Sequence, residues 1–372
     1  LLRLRSKRKK QYSKKYILRM FVRYCKVVDI LKKKGNQKPI VIIDEGFLTR
    51  GGYMFYNREY IRVVKRESYQ AFWELATAKF WVDNSPLRRV SKGRGQVYIQ
   101  TWHGDRGFKK VLYDKSTSDR LKDGSLFEEH HCDLAIAGSQ YGTNQYRTAF
   151  KYKGEIMQVG CPRNDKLVEN TSELAETIKK TLGLDATVKI FLYAPTFRKE
   201  ASRKKTHQDV GAIDLLEVLH ALETKTKEQW ICLTRAHSEV AGLAGIPESE
   251  KIMDITSYEE MSDLLLISDL LITDYSSSAG DFALLGRPII LYQNDREEYL
   301  RKDRSFYFDI DQSPFLVAMN QVELINLIKK MDLKAIPQNC KEILEFYGTK
   351  ETGKASEAVV DCLVSQIKWK SF

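Results

Sequence analysis

Apolar residues in this chain fall into short unbroken runs separated by longer polar stretches in which apolar positions recur every three or four residues. The runs at 39–44, 79–82, 97–100, 134–137, 156–159, 189–193, 229–234, 270–272 and 289–292 have the length and continuity of strands buried on both faces of a parallel sheet. The helical spacing at 69–77, 213–222, 258–267, 321–331 and 341–347 places helices between or after them. Strands alternating with helices in this way predict an α/β, doubly wound fold. A polar helix over 170–184, capped by Ser172, divides the pattern into two similar halves. The expected organisation is a segment at 1–35, an N-terminal Rossmann-like domain at 36–184 and a C-terminal one at 185–372. The last helices have the option of packing back on the first domain. Two such halves face each other across a cleft, where ligands bind beyond the carboxyl ends of the strands.

The densest signal is the βαβ unit at 269–292. Leu270, Leu271 and Ile272 form its first strand, and Asp274, Ser276, Ser277 and Ser278 offer side chains to cap the helix that follows. Gly286, Arg287 and Pro288 end that helix before the next strand. A helix start ringed by hydroxyls suits a phosphate, because unpaired N–H groups point outward there.

Charge changes the picture at one end only. The chain carries a formal +12, yet residues 1–35 hold fourteen Lys and Arg against Asp29 alone, so the remainder is close to neutral. Within that segment Ile17, Leu18, Phe21, Val22, Cys25, Val28 and Leu31 recur at helical spacing, bordered by Lys14, Lys15, Arg19, Arg23 and Lys26. A basic amphipathic helix of this kind fits an anionic membrane surface, and its apolar stripe would be idle on a nucleic acid. No apolar run approaches the roughly 20 residues that span a bilayer, and no signal peptide is recognisable. The six cysteines show no CxxC spacing, which fits reduced cytosolic thiols and neither a disulfide framework nor a zinc site. His130 and His131 beside Glu128 and Glu129 diverge in direction on a helix and read as surface. No metal site and no cofactor are expected.

The candidate chemistry sits where strands end. His103, in Trp102-His103-Gly104, suits a general base near neutral pH. Arg163, Asn164 and Asp165 follow another strand of the first half. In the second half Arg198, Arg235 and His237 join the serine turn as a set of charges suited to a pyrophosphate. Neither a P-loop nor a Gly-x-Gly-x-x-Gly motif is present, which argues against a P-loop NTPase and a dinucleotide fold.

Taken in order, these segments resemble the CDP-glycerol glycerophosphotransferase family, the teichoic acid primases and polymerases. The carrying motifs run from Gly95 to Gly104, then Gly160-Cys161-Pro162-Arg163-Asn164-Asp165, Tyr193-Ala194-Pro195-Thr196-Phe197-Arg198, Arg235-Ala236-His237, Leu271 to Ser277, and Glu297-Glu298-Tyr299 with Phe306 to Asp309. The resemblance implies a GT-B-like fold and transfer of a polyol phosphate from CDP-glycerol, or CDP-ribitol, to a hydroxyl of a lipid-linked acceptor, with release of CMP. It implies His103 as the base and His237 as a second catalytic group. Arg198, Arg235, His237, Asp274, Ser276, Ser277 and Ser278 are expected at the donor phosphates. Trp102, Gly104, Arg163, Asn164 and Asp165 are expected on the acceptor side of the cleft. The implied location is peripheral, on the cytoplasmic face of the membrane, in teichoic acid or capsule synthesis.

Three departures from the family pattern stand out. Asp105-Arg106-Gly107-Phe108 replace Thr-Pro-Leu before Lys109-Lys110, Ser238 replaces Pro after the Arg-x-His motif, and Ser278-Ala279-Gly280 replace Val-Met-Phe. They leave open the polyol, single addition against polymerisation, wall polymer against capsule, and the acceptor; the oligomeric state is also open. A GT-B glycosyltransferase using a sugar nucleotide on a membrane-linked acceptor is the second enzyme reading. A non-catalytic surface-binding protein is the third.

Overall fold

The computed structural model describes residues 20–21, 40–44, 61–65, 68–84, 92–115, 132–196, 213–235, 249–258, 260–302 and 305–368. Two parallel sheets, successive along the chain, account for the alternating pattern. The first contains β1 (Met20–Phe21), β2 (Ile40–Asp44), β3 (Ile61–Lys65), β4 (Phe80–Asp83), β5 (Val97–Gln100), β6 (Leu134–Ala137) and β7 (Glu155–Gln158), in the order β3-β2-β1-β4-β5-β6-β7. The second contains β8 (Lys189–Ala194), β9 (Trp230–Thr234), β10 (Ile252–Asp254), β11 (Leu270–Thr273), β12 (Ile289–Tyr292) and β13 (Leu316–Ala318), in the order β10-β9-β8-β11-β12-β13. Each order turns back on itself between the first and fourth strand of its set, the Rossmann arrangement whose reversal opens a ligand crevice at the strand ends.

The helices are α1 (Tyr69–Thr77), α2 (Gln140–Thr148), α3 (Asp165–Glu169), α4 (Ser172–Thr181), α5 (Leu215–Thr226), α6 (Met261–Ile267), α7 (Ser278–Phe282), α8 (Arg296–Lys302), α9 (Gln321–Lys330), α10 (Ile336–Phe346) and α11 (Ala355–Lys368). Several follow from local chemistry. The Ser139 hydroxyl accepts from the Gly142 N–H to cap α2, and Asp214 accepts from the Leu216 and Glu217 N–H groups to cap α5. Gly286, at φ +64°, takes the left-handed position that ends the 3₁₀ turn after α7.

β8, β9, β11 and β12 are as apolar as their runs predicted, whereas β10 and β13, only partly buried, had no such run. β11 and β12 are buried along their whole length, and with Ile190, Phe191 and Leu192 of β8 they form one core with α5, α6, α9 and α10. Leu167 of α3 and Ile178 of α4, ahead of the boundary expected at 184, are buried in that same core. In the opposite direction, Val359, Val360 and Leu363 of α11 pack on Phe80, Val82, Ile99, Leu134 and Ile136 of the first half. The sheets divide near residue 184, whereas the packing crosses between the halves in both directions.

One expectation is corrected. Met20 and Phe21, inside the proposed amphipathic helix, are extended and pair in parallel with Val41 on one side and with Phe80 and Trp81 on the other. A two-residue apolar stretch carries no period of its own, and the gap between β2 and β4 offers backbone partners on both sides. The rest of residues 1–35 lies outside the described residues. Among the described residues no helix is long and apolar enough to cross a membrane.

Candidate active site

β5 delivers His103. After Gln100 the chain turns sharply at Trp102, which holds φ +52°, a conformation a bulky residue adopts only when its surroundings dictate it. Those surroundings are visible. The Gln100 side-chain oxygen accepts from the Trp102 N–H at 2.8 Å, and the indole is buried with its ring 4.8 Å from Phe150. The turn thrusts His103 into solvent with its ring 4.2 Å from the Trp102 ring. His103 Nδ1 lies 2.6 Å from the carbonyl oxygen of Asn84, just past β4. A carbonyl only accepts, so Nδ1 carries the proton and Nε2 is the basic nitrogen of the neutral ring. Gly104 fits closely beneath: a Cβ there would stand 3.1 Å from the Trp102 indole nitrogen.

β11 delivers the serine turn. The Asp274 carboxylate accepts from the Thr196 N–H at 2.9 and 3.0 Å, tying the end of β11 to the end of β8 at the switch point. It is spent on that junction, so its expected capping of the next helix is corrected. The N-cap of α7 is Ser277, which makes no side-chain cap bond, while the Ser276 hydroxyl oxygen accepts from the Ser278 N–H at 3.3 Å and from the Ser278 hydroxyl at 2.8 Å. Tyr275 is buried behind the turn, stacked on Tyr299 at 4.0 Å and donating its hydroxyl to Asp295 at 2.9 Å.

The two loops meet. The Ser277 hydroxyl donates to the main-chain oxygen of His103 at 3.4 Å, joining the base expected from the first half to the phosphate turn expected from the second. A Cβ on Gly107 would lie 3.6 Å from Ser277 Cβ, so the backbones run close.

The other predicted residues divide. Arg163 holds Asp281 of α7 through Nε at 2.9 Å and donates to the Trp102 carbonyl at 3.4 Å. Asn164 donates to Asp281 at 2.8 Å and to Glu351 at 2.9 Å. Both belong to a buried contact between the halves. Asp165 is correspondingly corrected: it is fully buried, and its two oxygens accept from the N–H groups of Ala355 and Ser356 at 2.9 and 2.7 Å, at the start of α11. Arg235 turns its guanidinium to the Tyr258 carbonyl at 3.2 Å and the Met261 sulfur at 3.0 Å. Arg198, His237 and the pair His130 and His131 lie outside the described residues.

Arg106 and Asp281 were not recognised from sequence as partners. Arg106 is fully buried and ion-pairs with Asp281 at 2.6 Å and Glu351 at 2.7 Å, with Asp105 at 3.5 Å. Burial alone would raise the Asp281 carboxyl; Arg163 and Arg106 outweigh it and hold it below the ordinary carboxylate range. Burial pushes Asp105 the other way, above that range, although Arg106 and the Ser139 hydroxyl oppose it. The departures from the family pattern at 105–108 and 278–280 were the available signal. They are complementary: a Cβ on Gly280 would stand 2.6 Å from Arg106 Cβ.

Two Rossmann-type halves, their strand-end loops in contact across the join, define a GT-B-like transferase. The chain belongs to the CDP-glycerol:poly(glycerophosphate) glycerophosphotransferase family, whose profile matches residues 46–365. It is 33% identical to the teichoic acid poly(glycerol phosphate) polymerase of Bacillus spizizenii over 82% of this chain and 79% of that protein. It is 32% identical to the polymerase of the same name from Bacillus subtilis, covering 81% of this chain but only 42% of that longer protein. Among solved structures, the wall teichoic acid polymerase TagF superposes with a TM-score of 0.78 at 25% identity, over 96% of this chain and 90% of that one.

Proposed function

We propose that this chain transfers glycerol phosphate from CDP-glycerol to a hydroxyl of a lipid-linked acceptor and releases CMP. The observation that carries it is the contact of the His103 loop with the Ser277 turn, in a chain of this family. Nε2 of His103 takes the proton of the acceptor hydroxyl while its oxygen attacks the phosphorus that bears glycerol. The new O–P bond forms as the bond from that phosphorus to the bridging oxygen breaks, and CMP departs with the electron pair. In-line placement and neutralisation of charge do most of the work in such a transfer. Arg198, Arg235, His237 and the serine hydroxyls are the groups assigned to the phosphates. Side chains supply the positive charge, so turnover is expected to persist in EDTA.

The test is incubation of the purified chain with CDP-glycerol, CDP-ribitol and UDP-sugars, each with a lipid-linked acceptor. CMP release with CDP-glycerol supports the proposal. Release with CDP-ribitol alone changes the polyol, and turnover of a UDP-sugar alone replaces the phosphotransferase with a glycosyltransferase. The basic segment at 1–35 is assigned to an anionic bilayer on the cytoplasmic face, with the protein peripheral there. Removal of residues 1–15, which leaves β1 in place, is expected to abolish sedimentation with phosphatidylglycerol vesicles, and undiminished sedimentation overturns that assignment.

A further inference from the structure

Asp281 is the point where the first half grips the second. It sits on α7, the helix that continues the serine turn, and is 5% exposed. Arg163 approaches both its oxygens, with Nε 2.9 Å from Oδ2 and Nη2 3.2 Å from Oδ1. Arg106 Nη2 reaches Oδ1 at 2.6 Å and Asn164 Nδ2 reaches it at 2.8 Å. All three donors belong to the half that carries His103. Arg163 is the link that matters for geometry, because its Nη1 also donates to the carbonyl of Trp102, the residue before His103. One guanidinium therefore holds the turn that aims the base and the helix that follows the phosphate turn. Arg106 and Asn164 are in turn fixed by Glu351, between α10 and α11, at 2.7 and 2.9 Å.

We infer that Asp281, through Arg163, is a positioning residue that sets the spacing between the His103 loop and the serine turn. The inference rests on the transfer proposed above. The Asp281 carboxylate is enclosed by the three donors and acts through them. The planar fork of Arg163 fixes direction as well as distance, which an ammonium does not reproduce. A misplacement of about 1 Å between reacting groups costs on the order of 10²-fold in rate.

The experiment uses the full chain, with Asp281→Asn, Arg163→Gln, their combination and Arg163→Lys. Each single loss is expected to lower kcat by about 10²-fold, with KM for CDP-glycerol changed less than about threefold. The double variant is expected to be no worse than either single one, and Arg163→Lys to recover part of the loss. Hydrogen exchange should quicken together in segments 97–111 and 270–285. Multiplicative losses in the double variant, or unchanged kcat with only a lowered melting temperature, overturn the inference. If Asp281→Asn does not fold, Arg163→Lys carries the test: lowered kcat at constant KM with coupled exchange supports it, and unchanged kcat refutes it. A wild-type chain that releases no CMP from CDP-glycerol defeats the proposed transfer, while the exchange data still decide whether the two loops are coupled.

Discussion

The loop after β5 and the turn after β11 each follow the carboxyl end of a parallel strand, yet they are anchored differently. The serine turn is held from its own half: Asp274 binds the end of β8, Gln293 donates to the Asp274 carbonyl at 2.9 Å, and Tyr275 is stacked behind. The His103 loop is held from both halves: Gln100, Asn84 and Phe150 secure it from its own, and the second half adds an apolar anchor and two backbone bonds. Phe108 is buried in the second core with its ring 5.3 Å from Phe315, and the Tyr307 N–H donates to the Phe108 carbonyl at 2.9 Å. The Lys110 N–H donates to the Ser305 carbonyl at 2.9 Å. His103 is carried by one half and its loop is anchored in both, so its position reports the docking of the two halves. The serine turn meets the first half through α7 and through the Ser277 hydroxyl bond to the His103 carbonyl.

The two loops are expected to differ most at His103. His103→Ala is expected to lower kcat by about 10²–10⁴-fold with little change in melting temperature, since the side chain is exposed. Unaltered turnover would remove it from the role of base. Phe108→Ala removes the anchor: a loss of about 3–5 kcal/mol is expected for an aromatic side chain this buried, measured by denaturant unfolding. A loss near zero would show that the loop is not held from the second core. Gly280→Ala is expected to cost about 1–3 kcal/mol by overpacking, because the atom it meets is Arg106 Cβ, near the backbone and unable to swing away.

The smallest effect is with pH. Asp281 is held below the ordinary value of 3.8, so its contribution to stability is present above that value and lost as pH falls beneath it. Asp105 is held above 3.8, so its folded form favours the proton and stability declines as pH rises through that raised value. Melting temperature against pH is expected to rise slightly on mild acidification and then fall. Asp281→Asn should flatten the acid limb and Asp105→Asn the other. An acid limb unchanged in Asp281→Asn would place the titration elsewhere.

Much of the fold was legible because strands buried on both faces need unbroken apolar runs. β5, β6 and β12 lie at the residues their runs predicted, and β11 extends its run by one residue. Leu134–Ala137 reads as the start of a βα step, but the bounds of α2 are not legible because QYGTNQYRT has almost no apolar stripe; its place is set by the Ser139 cap and by burial of Tyr146 and Gln145. α11 was missed as an element, and its role as a return onto the first sheet is a matter of packing. His103 and the serine turn stand out in the sequence by motif and strand-end position, and the structure brings them into contact. Arg163 and Asn164 were found as polar residues but expected in the cleft, where the structure instead joins them to Asp281. Glu351 had no local signal at all, being 245 residues from Arg106.

Two successive α/β halves, the strand ends on which polar groups collect and the concentration of positive charge in residues 1–35 are all readable along the chain. Those follow from periodicity, turn chemistry and charge, which act between neighbours in the chain. Long-range packing selects which polar groups remain exposed at the strand ends and which are consumed in holding the halves together. Asp165, Asp274 and Asp281 are alike in sequence, each an acid near a strand end. They differ because burial makes an unpaired carboxylate costly, and distant residues supply the partners: the N–H groups of Ala355 and Ser356, the N–H of Thr196, and the guanidinium groups of Arg163 and Arg106.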